Sequence, residues 1–488
     1  MSKKLIYIAA LGLALAACSE DTMDRINADH RNPQPGAVNA RFQVTDATVS
    51  TAYTTWGGAY AWYVSSFTEQ TFGTGNNQLM KAELRQRTET AASTTFNNEW
   101  NGTYANLLNI KQILDKCKEG GLNAGQTDIE GIGQTLWVLC AELLTDVHGD
   151  IPYSEALVSK QARLDRQEDI YKDLFTRIAD AETKLKAAAD NGVNNCGTQD
   201  LLYGGDPAKW LGLAYAVEAR LHLNTTFRDN GAYARAITAA EAALAAGFGG
   251  ADLSIFNGVD CDNSWAAYNW SRYYTGANGT VVDLFTERRD PRLEVYAVDY
   301  FGSGITYADA GDEAMAKATT TVGLPLWLDN GAARLHIFSI AELHFILAEA
   351  KARTGGDPAA DFEAGIRASF EDYAEAAGET VDGADDYIAS LGAPTLKEIM
   401  IQKYLAQARD EQVQTYNDIR RYKAFNDEYI TLKNPCNVSG GQNQWPLRLA
   451  YGNSDVVSNP NVAAAFGSGN DAGNYLFTEN VWLFGGSR

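Results

Sequence analysis

Apolar residues recur every three or four positions through the middle and later part of the chain, which is the spacing of amphipathic helices. One stripe runs from Trp100 to Leu114 and another from Ile132 to Val147. Asp206-Pro207 supplies a capping carboxylate and a first-turn proline, so a third helix is predicted to begin there. The alanine-rich stretch from Tyr233 to Ala246 predicts its hairpin partner.

Capping boxes mark the start of two later helices. The first is Ser339 to Glu342, and Gly355-Gly356 is expected to end its helix before Asp357-Pro358 begins a partner. Thr395 to Glu398 repeats the spacing and predicts one long helix running to about Tyr422. The two helix pairs favour a mainly α fold on a tetratricopeptide-like helical hairpin scaffold.

Two blocks, 248–335 and 434–488, are rich in Gly, Asn, Asp and aromatic residues. We predict large irregular loop regions with short strands there. Because binding residues are commonly carried on loops that a rigid scaffold positions, these blocks are where a ligand site is expected.

The N-terminus has the features of an exported lipoprotein. An apolar run follows Lys3-Lys4 and is too short to span a bilayer, so residues 1–17 are predicted to be a signal peptide. Leu15-Ala16-Ala17-Cys18 has the form of a lipobox, which predicts lipidation of Cys18 and membrane attachment through that lipid. The alternative is an ordinary cleaved signal with a chance cysteine. Residues 18–36 are predicted to be a flexible acidic tether, and residues 37–488 a single domain.

Composition excludes several classes of function. A formal charge of −22 opposes binding to nucleic acid. Besides Cys18, the cysteines lack CxxC spacing and the chain has only five histidines, so no zinc site is expected, although one or two disulfides remain open. No cofactor is predicted: the acidic loops offer oxygens to Ca²⁺ without EF-hand spacing. Motifs of hydrolases and nucleotide-binding enzymes are missing from the sequence, so an enzyme is not expected.

A family resemblance rests on motifs spread along the chain. Residues 144–156, LTDVHGDIPYSEA, resemble the segment that marks the SusD/RagB family of nutrient-binding outer-membrane lipoproteins, and its second SusD-like subgroup most closely. Further matching pieces follow in the family's order: Asp290 to Leu293, Ala341-Glu342 through Glu349-Ala350, Gln402-Lys403, Asn417 to Tyr422, Pro446 to Leu449 and Asn459 to Asn461.

The resemblance implies a mostly helical fold with tetratricopeptide-type repeats. It also implies a lid on a SusC-like TonB-dependent outer-membrane transporter that captures oligosaccharides and passes them inward. The segment Ser19-Glu20-Asp21 after Cys18 resembles the acidic export signal of lipoproteins of Bacteroidetes-type bacteria, which predicts that the protein faces the cell exterior. A peptide-binding member of the same family is one alternative. A surface glycosidase is a second, because no sequence excludes a suitable pair of carboxylates.

The motif residues themselves have structural interpretations. Gly149 is expected at a positive φ where a helix ends, with Asp146 and Asp150 capping backbone amides around the corner. Arg420 and Arg421 are expected to form charge-assisted pairs that hold a helix end against the loops.

A glycan site needs aromatic planes beside polar side chains, because sugars present C–H faces and hydroxyl edges. The densest such cluster lies between Asp262 and Tyr274, and packing of these rings onto the helices is the alternative. Trp56, Tyr60 and Tyr63 share a helical stripe and are assigned to the core, whereas Trp62 falls outside it. Trp100, Trp137 and Trp210 also lie on apolar stripes and are assigned to the core. The candidate ligand-binding residues are Asn263, Trp265, Tyr268, Asn269, Trp270, Arg272, Tyr273 and Trp62.

Overall fold

The computed structural model describes residues 35–318 and 322–487, so Cys18, the predicted signal peptide and most of the predicted tether lie outside the described residues. The α-helices are α1 Arg41–Ser50, α2 Ala59–Phe67, α3 Gln78–Glu83, α4 Arg87–Thr90, α5 Asn97–Cys117, α6 Thr127–His148, α7 Gln167–Asp190, α8 Pro207–Asn224, α9 Ala232–Ala245, α10 Ser264–Arg272, α11 Gly279–Arg288, α12 Leu293–Tyr296, α13 Glu313–Lys317, α14 Ile340–Thr354, α15 Ala359–Ala377, α16 Ala384–Leu391, α17 Leu396–Gln407, α18 Gln412–Phe425, α19 Asn453–Ser458, α20 Pro460–Phe466 and α21 Tyr475–Thr478.

Short strands and turns connect these helices. The strands pair antiparallel in two-stranded sheets: β1 Phe72–Gly73 with β5 Thr275–Gly276, β2 Ile151–Pro152 with β3 Leu164–Asp165, β4 Ala251–Leu253 with β6 Leu335–Phe338, and β7 Val438–Ser439 with β8 Gln442–Asn443. A π-helical turn, Thr51–Trp56, joins α1 to α2, and 3₁₀ turns are found at Pro35–Ala37, Gly197–Gln199, Thr225–Phe227, Leu326–Asp329, Pro435–Asn437, Gly469–Asp471 and Trp482–Phe484.

The long helices form a continuous scaffold in which each packs on the next. Helices α5 to α9 pack in sequence, α9 packs on α14, and α14 packs on both α15 and α17. The predicted hairpin of α8 and α9 and that of α14 and α15 are both present, so the mainly α, tetratricopeptide-like fold is confirmed. Helix α18 packs on α2 and thereby joins the scaffold to the N-terminal part of the domain.

The predicted helix starts are confirmed by their hydrogen bonds. The Asp206 carboxylate accepts from the backbone N–H groups of Ala208 and Lys209 at the start of α8. The Ser339 hydroxyl accepts from the Glu342 backbone N–H over 2.9 Å at the start of α14. That helix ends at Gly355, where φ is +80°, the left-handed conformation that favours glycine.

The prediction of one long helix from Thr395 to about Tyr422 is wrong, because α17 ends at Gln407 and α18 begins at Gln412. The buried residues between them use their carboxylates to hold the start of α14 and the strand before it. Asp410 accepts from the backbone N–H of His336, and Glu411 accepts from both the backbone N–H and the hydroxyl of Ser339. These bonds stabilise a break that helical periodicity alone does not indicate.

The loop predictions are also wrong in part, because block 248–335 contains α10, α11, α12 and α13 and block 434–488 contains α19, α20 and α21. Asparagine side chains begin two of these helices. Asn263 accepts from the Ala266 backbone N–H at α10, and Asn278 accepts from the Thr280 backbone N–H at α11. The asparagines that suggested loops are therefore partly helix caps.

The family-like motif residues are buried and hold the scaffold together. Arg421 pairs with Asp418 at 2.6 Å and with Glu349 at 2.9 Å, and the motif residue Glu342 contacts the buried Arg220 at 3.3 Å. Further buried contacts join Arg292 to Asp290, Lys403 to Asp418, Arg448 to the carbonyls of Glu479 and Asn480, and Asn459 to the carbonyl of Ala162. The predicted charge pairing of Arg421 is confirmed, but its partners lie on α14 and on its own helix α18 and not on the loops. These motifs have a structural role.

Two of the three residues predicted to form the turn after α6 have the predicted role. Gly149 has φ of +83°, and Asp150 accepts from the Gln167 backbone N–H over 2.9 Å. Asp146 does not cap a backbone amide. Instead, its buried carboxylate accepts from the Tyr171 hydroxyl and from the side-chain amides of Asn224 and Asn417, because it lies in the middle of the packed helices. Among the described residues Arg420 forms no ion pair, contrary to the prediction. It donates to the backbone carbonyls of Asp146 and Leu447, and the second bond ties α18 to the C-terminal block.

The tryptophans assigned to the core are buried. Trp56, Trp100, Trp137 and Trp210 have at most 8% of their surface exposed, and Tyr60 and Tyr63 are buried with them. The cysteines of the described residues, Cys117, Cys140, Cys196, Cys261 and Cys436, are all free thiols. No helix in the described part of the chain has the length and apolar character that crossing a membrane requires.

Candidate functional site

Helix α10 carries most of the candidate residues, on a helix and not on the predicted loop. Its buried side holds the helix in place. Trp265 and Asn269 are 2% and 1% exposed, and the Asn269 side-chain amide donates to the Leu328 carbonyl over 3.1 Å. The Asn263 side-chain amide donates to the Asn330 carbonyl over 2.6 Å. Asn263, Trp265 and Asn269 therefore position α10 instead of facing solvent.

One flank of α10 packs on α2 through a stacked ring pair. Tyr268 and Trp62 lie with their ring centroids 3.9 Å apart and their planes at 21°. Both rings are half-buried, and Trp265 meets Trp62 edge-on beneath them at 6.4 Å. Burial raises the pKa of Tyr268 well above its ordinary value, so its hydroxyl stays protonated and can donate a hydrogen bond. We call Trp62 and Tyr268 the inner pair.

The opposite flank carries an exposed group of rings around Asp329. The Trp270 indole N–H donates to one oxygen of Asp329 over 2.6 Å, and the Tyr300 hydroxyl donates to the other oxygen. The hydrogen bond to Asp329 raises the pKa of Tyr300 to about 12. A single carboxylate with both oxygens engaged therefore positions two aromatic side chains.

Two further rings complete this group. Tyr273 packs edge-on against Phe301 at 5.5 Å, and Phe301 packs edge-on against Tyr300 at 5.3 Å. Tyr300 is 44% exposed and Phe301 is 38% exposed, which is high for such large rings. We call Trp270, Tyr273, Tyr300 and Phe301 the outer cluster.

The loop that carries Tyr300 and Phe301 is held by its own hydrogen bonds. Asp299 accepts from the backbone N–H groups of Ser303 and Gly304, each over 2.8 Å. The loop can therefore present its two rings in a preformed arrangement. Tyr300, Phe301 and Asp329 were not among the candidate residues predicted from the sequence. Adjacent aromatic residues followed by Gly302-Ser303-Gly304 were the signal available for the first two.

A polar group lies at the end of α10, next to Tyr273 of the outer cluster. Arg272 is exposed, and within the described residues it forms no salt bridge and donates only to the Ser271 carbonyl. Its guanidinium is thus available for hydroxyl or carbonyl groups of a ligand.

The structure places Trp62 next to the candidate residues of α10, but the eight candidates differ in how much of each side chain is exposed to solvent. Tyr268, Trp270, Tyr273 and Trp62 are partly exposed, Arg272 is exposed, and the remaining three candidates are buried. Two clefts of about 540 Å³ lie elsewhere, beside the loop that follows β2. We favour the outer cluster over these clefts as the principal site because Tyr300 and Phe301 are exposed and lie beside the partly exposed rings of Trp270 and Tyr273. Among the described residues, no group of three or more His, Cys, Asp or Glu side chains is arranged to hold a metal ion.

Comparison with known proteins identifies the family. Residues 38–452 match the family model SusD-like_2, described as starch-binding and associating with the outer membrane. No curated protein sequence matches the chain.

Solved structures share the fold over nearly the whole chain. A SusD/RagB family protein from Bacteroides thetaiotaomicron is 29% identical with a TM-score of 0.81, covering 93% of this chain and 100% of that one. A chitin-binding protein is 22% identical with a TM-score of 0.72 and coverage of 92% and 100%. A chitin-binding SusD homolog from Flavobacterium johnsoniae is 19% identical with a TM-score of 0.67 and coverage of 91% and 98%. At these identities the two chitin-binding proteins show a common fold alone. Since the family model spans most of the sequence and these structures share its fold, the chain belongs to the SusD/RagB family, in its second SusD-like subgroup.

Proposed function

We propose that this protein is a cell-surface nutrient-binding lipoprotein that captures oligosaccharides at the outer cluster and delivers them to a SusC-like TonB-dependent transporter. The observation that supports this most strongly is the group of exposed rings on α10 and the 299–304 loop, which hydrogen bonds to Asp329 and Asp299 hold in place. The family description, starch-binding and associating with the outer membrane, agrees with it.

The chemistry of the outer cluster suits a carbohydrate. The C–H face of a pyranose packs on an aromatic ring, while its hydroxyls need donors and acceptors at the edge. Phe301, Tyr300 and Tyr273 offer the apolar surface, and Arg272 offers donors beside it. Because the rings are preformed, little side-chain entropy is lost on binding.

The proposed location follows from the N-terminus and the family. Cys18 would carry the lipid, residues 18–36 would act as the tether, and the domain would face the cell exterior beside the transporter. We propose that the protein binds its ligand without transforming it and needs no cofactor. Tetratricopeptide-like scaffolds are suited to protein contacts, which agrees with a role as the lid of a transporter.

The proposal is tested by isothermal titration calorimetry with purified residues 37–488. Maltohexaose and chitohexaose are the first probes because the family and two of the similar structures are described by starch and chitin binding. At least one oligosaccharide of a wider panel is expected to bind, and the Tyr273→Ala/Phe301→Ala double variant is expected to lose that binding. Equal affinity in the double variant and the wild type would contradict the site assignment.

A matched control is Tyr307→Ala, which removes another ring with 38% exposure that makes no ring contact to the outer cluster. This variant is expected to bind like the wild type. Binding to proteolytic digests instead of sugars would favour a peptide-binding member of the family. Release of reducing ends from a polysaccharide would favour a glycosidase.

A further inference from the structure

A cleft on the scaffold, lined by no residue of α10, has the features of a second ligand site. It has a volume of about 540 Å³, within the usual range for small-ligand sites, and lies between α5, α6, α7 and the loop after β2. It shares no lining residue with the outer cluster or the inner pair. The lining residues that matter here are Trp137, Tyr153, Asp173, Arg177 and Gln134.

A chain of hydrogen bonds holds the floor of this cleft in one arrangement. The Trp137 indole N–H donates to the Tyr153 hydroxyl over 2.8 Å, and that hydroxyl donates to Asp173 Oδ2 over 2.5 Å. Arg177 donates to the same Asp173 oxygen over 2.6 Å and to the Gln134 side-chain oxygen over 2.9 Å. Its guanidinium lies 4.6 Å from the centre of the Trp137 ring. Each polar side chain of the floor is therefore oriented by its neighbours.

Two side chains of the floor, Asp173 and Arg177, have hydrogen-bonding groups that a ligand can use. All described bonds to Asp173 use Oδ2, so its Oδ1 accepts none from the described residues, and the carboxylate is 39% exposed. The bonds of Arg177 to Asp173 and Gln134 use two of its five N–H groups. A free acceptor and free donors on adjacent, preoriented side chains match two neighbouring hydroxyls of a sugar ring, one donating and one accepting.

The walls favour an uncharged ligand with an apolar face. The 80% exposed Val158 and the partly exposed Ala156 supply apolar surface, whereas Leu114 and Ile170 also line the cleft but are only 9% and 1% exposed. The lysines at the rim are already paired, since Lys111 and Lys118 both contact Asp115. An anionic ligand is disfavoured, because acidic residues outnumber basic ones in the lining by five to three. The acidic residues are Asp115, Glu130, Asp165, Asp169 and Asp173, and the basic residues are Lys111, Lys118 and Arg177.

We propose that this cleft is a second saccharide-binding site, which takes a neutral sugar unit with vicinal hydroxyls between Asp173, Arg177 and Tyr153. The proposal goes beyond capture at the outer cluster and does not depend on it. Two sites on one domain would let a long glycan, or two chains of one polymer, be held at once, which raises the overall avidity.

Hydrogen–deuterium exchange with mass spectrometry separates the two sites, because each has its own reporting segment. We would incubate residues 37–488 with millimolar maltohexaose and, separately, chitohexaose, and follow amide exchange in residues 153–158 for the cleft and 268–274 and 299–304 for the outer cluster. Slower exchange in 153–158 with at least one of the probes is the expected result. It is expected to vanish in Asp173→Asn, which keeps the side-chain shape but removes the charged acceptor.

The control Asp190→Asn makes the same change at the exposed far end of α7, where Asp190 pairs only with Lys186 among the described residues, and is expected to leave the protection intact. Protection at 268–274 and 299–304 alone would overturn the cleft proposal and leave the proposed function standing. Protection at 153–158 alone would support the cleft site and overturn the outer cluster as the capture site. Protection at neither, or cleft protection that persists in Asp173→Asn, would overturn the cleft site as described.

Discussion

The scaffold and the region around α10 use the same kinds of side chain in opposite ways. In the scaffold, Arg220 and Arg421 are fully buried and paired with carboxylates from other helices. Around α10, Arg272 is exposed without a salt bridge to the described residues, and Tyr300 and Phe301 keep more than a third of their surface in contact with solvent. The polar and aromatic side chains of the scaffold interact within the fold, whereas several of those around α10 face solvent, which is why we propose the ligand site there.

This difference explains why the motifs that identify the family say little about the ligand. The motif residues, such as Glu349, Asp418 and Arg421, form a buried network that any member with this helical packing can use. The rings of the outer cluster lie between these motifs in the chain. A change of ligand can therefore occur there without disturbing the packing of the scaffold.

The largest expected effect is on stability, from Arg421→Ala. Removing the guanidinium leaves Glu349 and Asp418 buried with fewer partners, so we expect a loss of about 3–5 kcal/mol in the free energy of unfolding. Chemical denaturation followed by circular dichroism measures it. The control Arg367→Ala removes a half-exposed guanidinium and is expected to change stability by less than about 0.5 kcal/mol. If the two variants were equally stable, the buried network would not be what holds the scaffold together.

The second effect is a pH dependence that belongs to the scaffold. Burial lowers the pKa of His148 to about 3, and its ring contacts the Tyr60 hydroxyl and the Leu449 carbonyl. The unfolded chain therefore binds a proton near pH 6.5 that the folded protein does not bind until near pH 3, so stability is lost as the pH falls between these values. By pH 5 this one group should cost about 2 kcal/mol.

The measurement is the free energy of unfolding at pH 7.5 and pH 5 for the wild type and for His148→Gln. The variant has no imidazole to protonate, so its loss of stability over this range should be smaller by about 2 kcal/mol. Carboxylates contribute equally to both proteins and cancel in the comparison. An identical loss in the two proteins would show that the folded protein protonates His148 over this pH range as readily as the unfolded chain does.

The third effect is on ligand affinity, from Trp270→Ala. This change removes a ring of the outer cluster and leaves Asp329 with only the Tyr300 hydroxyl. We expect the dissociation constant of the tightest-binding oligosaccharide to rise about tenfold, which corresponds to about 1.4 kcal/mol. Titration calorimetry measures it, and thermal melting should show a folded protein. Unchanged affinity would move the site away from this flank of α10.

The smallest effect is expected from Arg272→Ala, which removes donors at the edge of the rings. One net hydrogen bond contributes about 0.5–1.5 kcal/mol, so a rise of about threefold in the dissociation constant is expected, with no change in stability. Arg272→Lys should restore part of the affinity if charge and donor are what the ligand needs. A stronger effect of Arg272→Ala than of Trp270→Ala would indicate a polar site instead of an aromatic one.

Much of the fold was predictable because its determinants are local. Asp206 and Ser339 cap their helices as the sequence indicates, and the tryptophan stripes at Trp100 and Trp210 face the core. The break between α17 and α18 was not predictable in this way. It depends on Asp410 and Glu411 bonding to His336 and Ser339, which lie far away in the sequence.

The site was predictable only in part. The cluster of rings between Asp262 and Tyr274 is visible in the sequence, but burial of Trp265 and Asn269 depends on packing of α10 against the 326–329 turn. Tyr300 and Phe301 join Trp270 and Tyr273 only through tertiary contacts and the shared carboxylate of Asp329. Which rings are exposed, and which rings lie next to each other, is decided by tertiary packing and cannot be predicted from the local sequence.

The most direct test of the outer cluster as the principal site is a crystal structure of residues 37–488 with the oligosaccharide that binds most tightly. We expect a sugar ring packed on Phe301 or Tyr273, with Arg272 or Tyr300 within hydrogen-bond distance of its hydroxyls. An oligosaccharide bound at full occupancy elsewhere, with the outer cluster left in solvent, would contradict it.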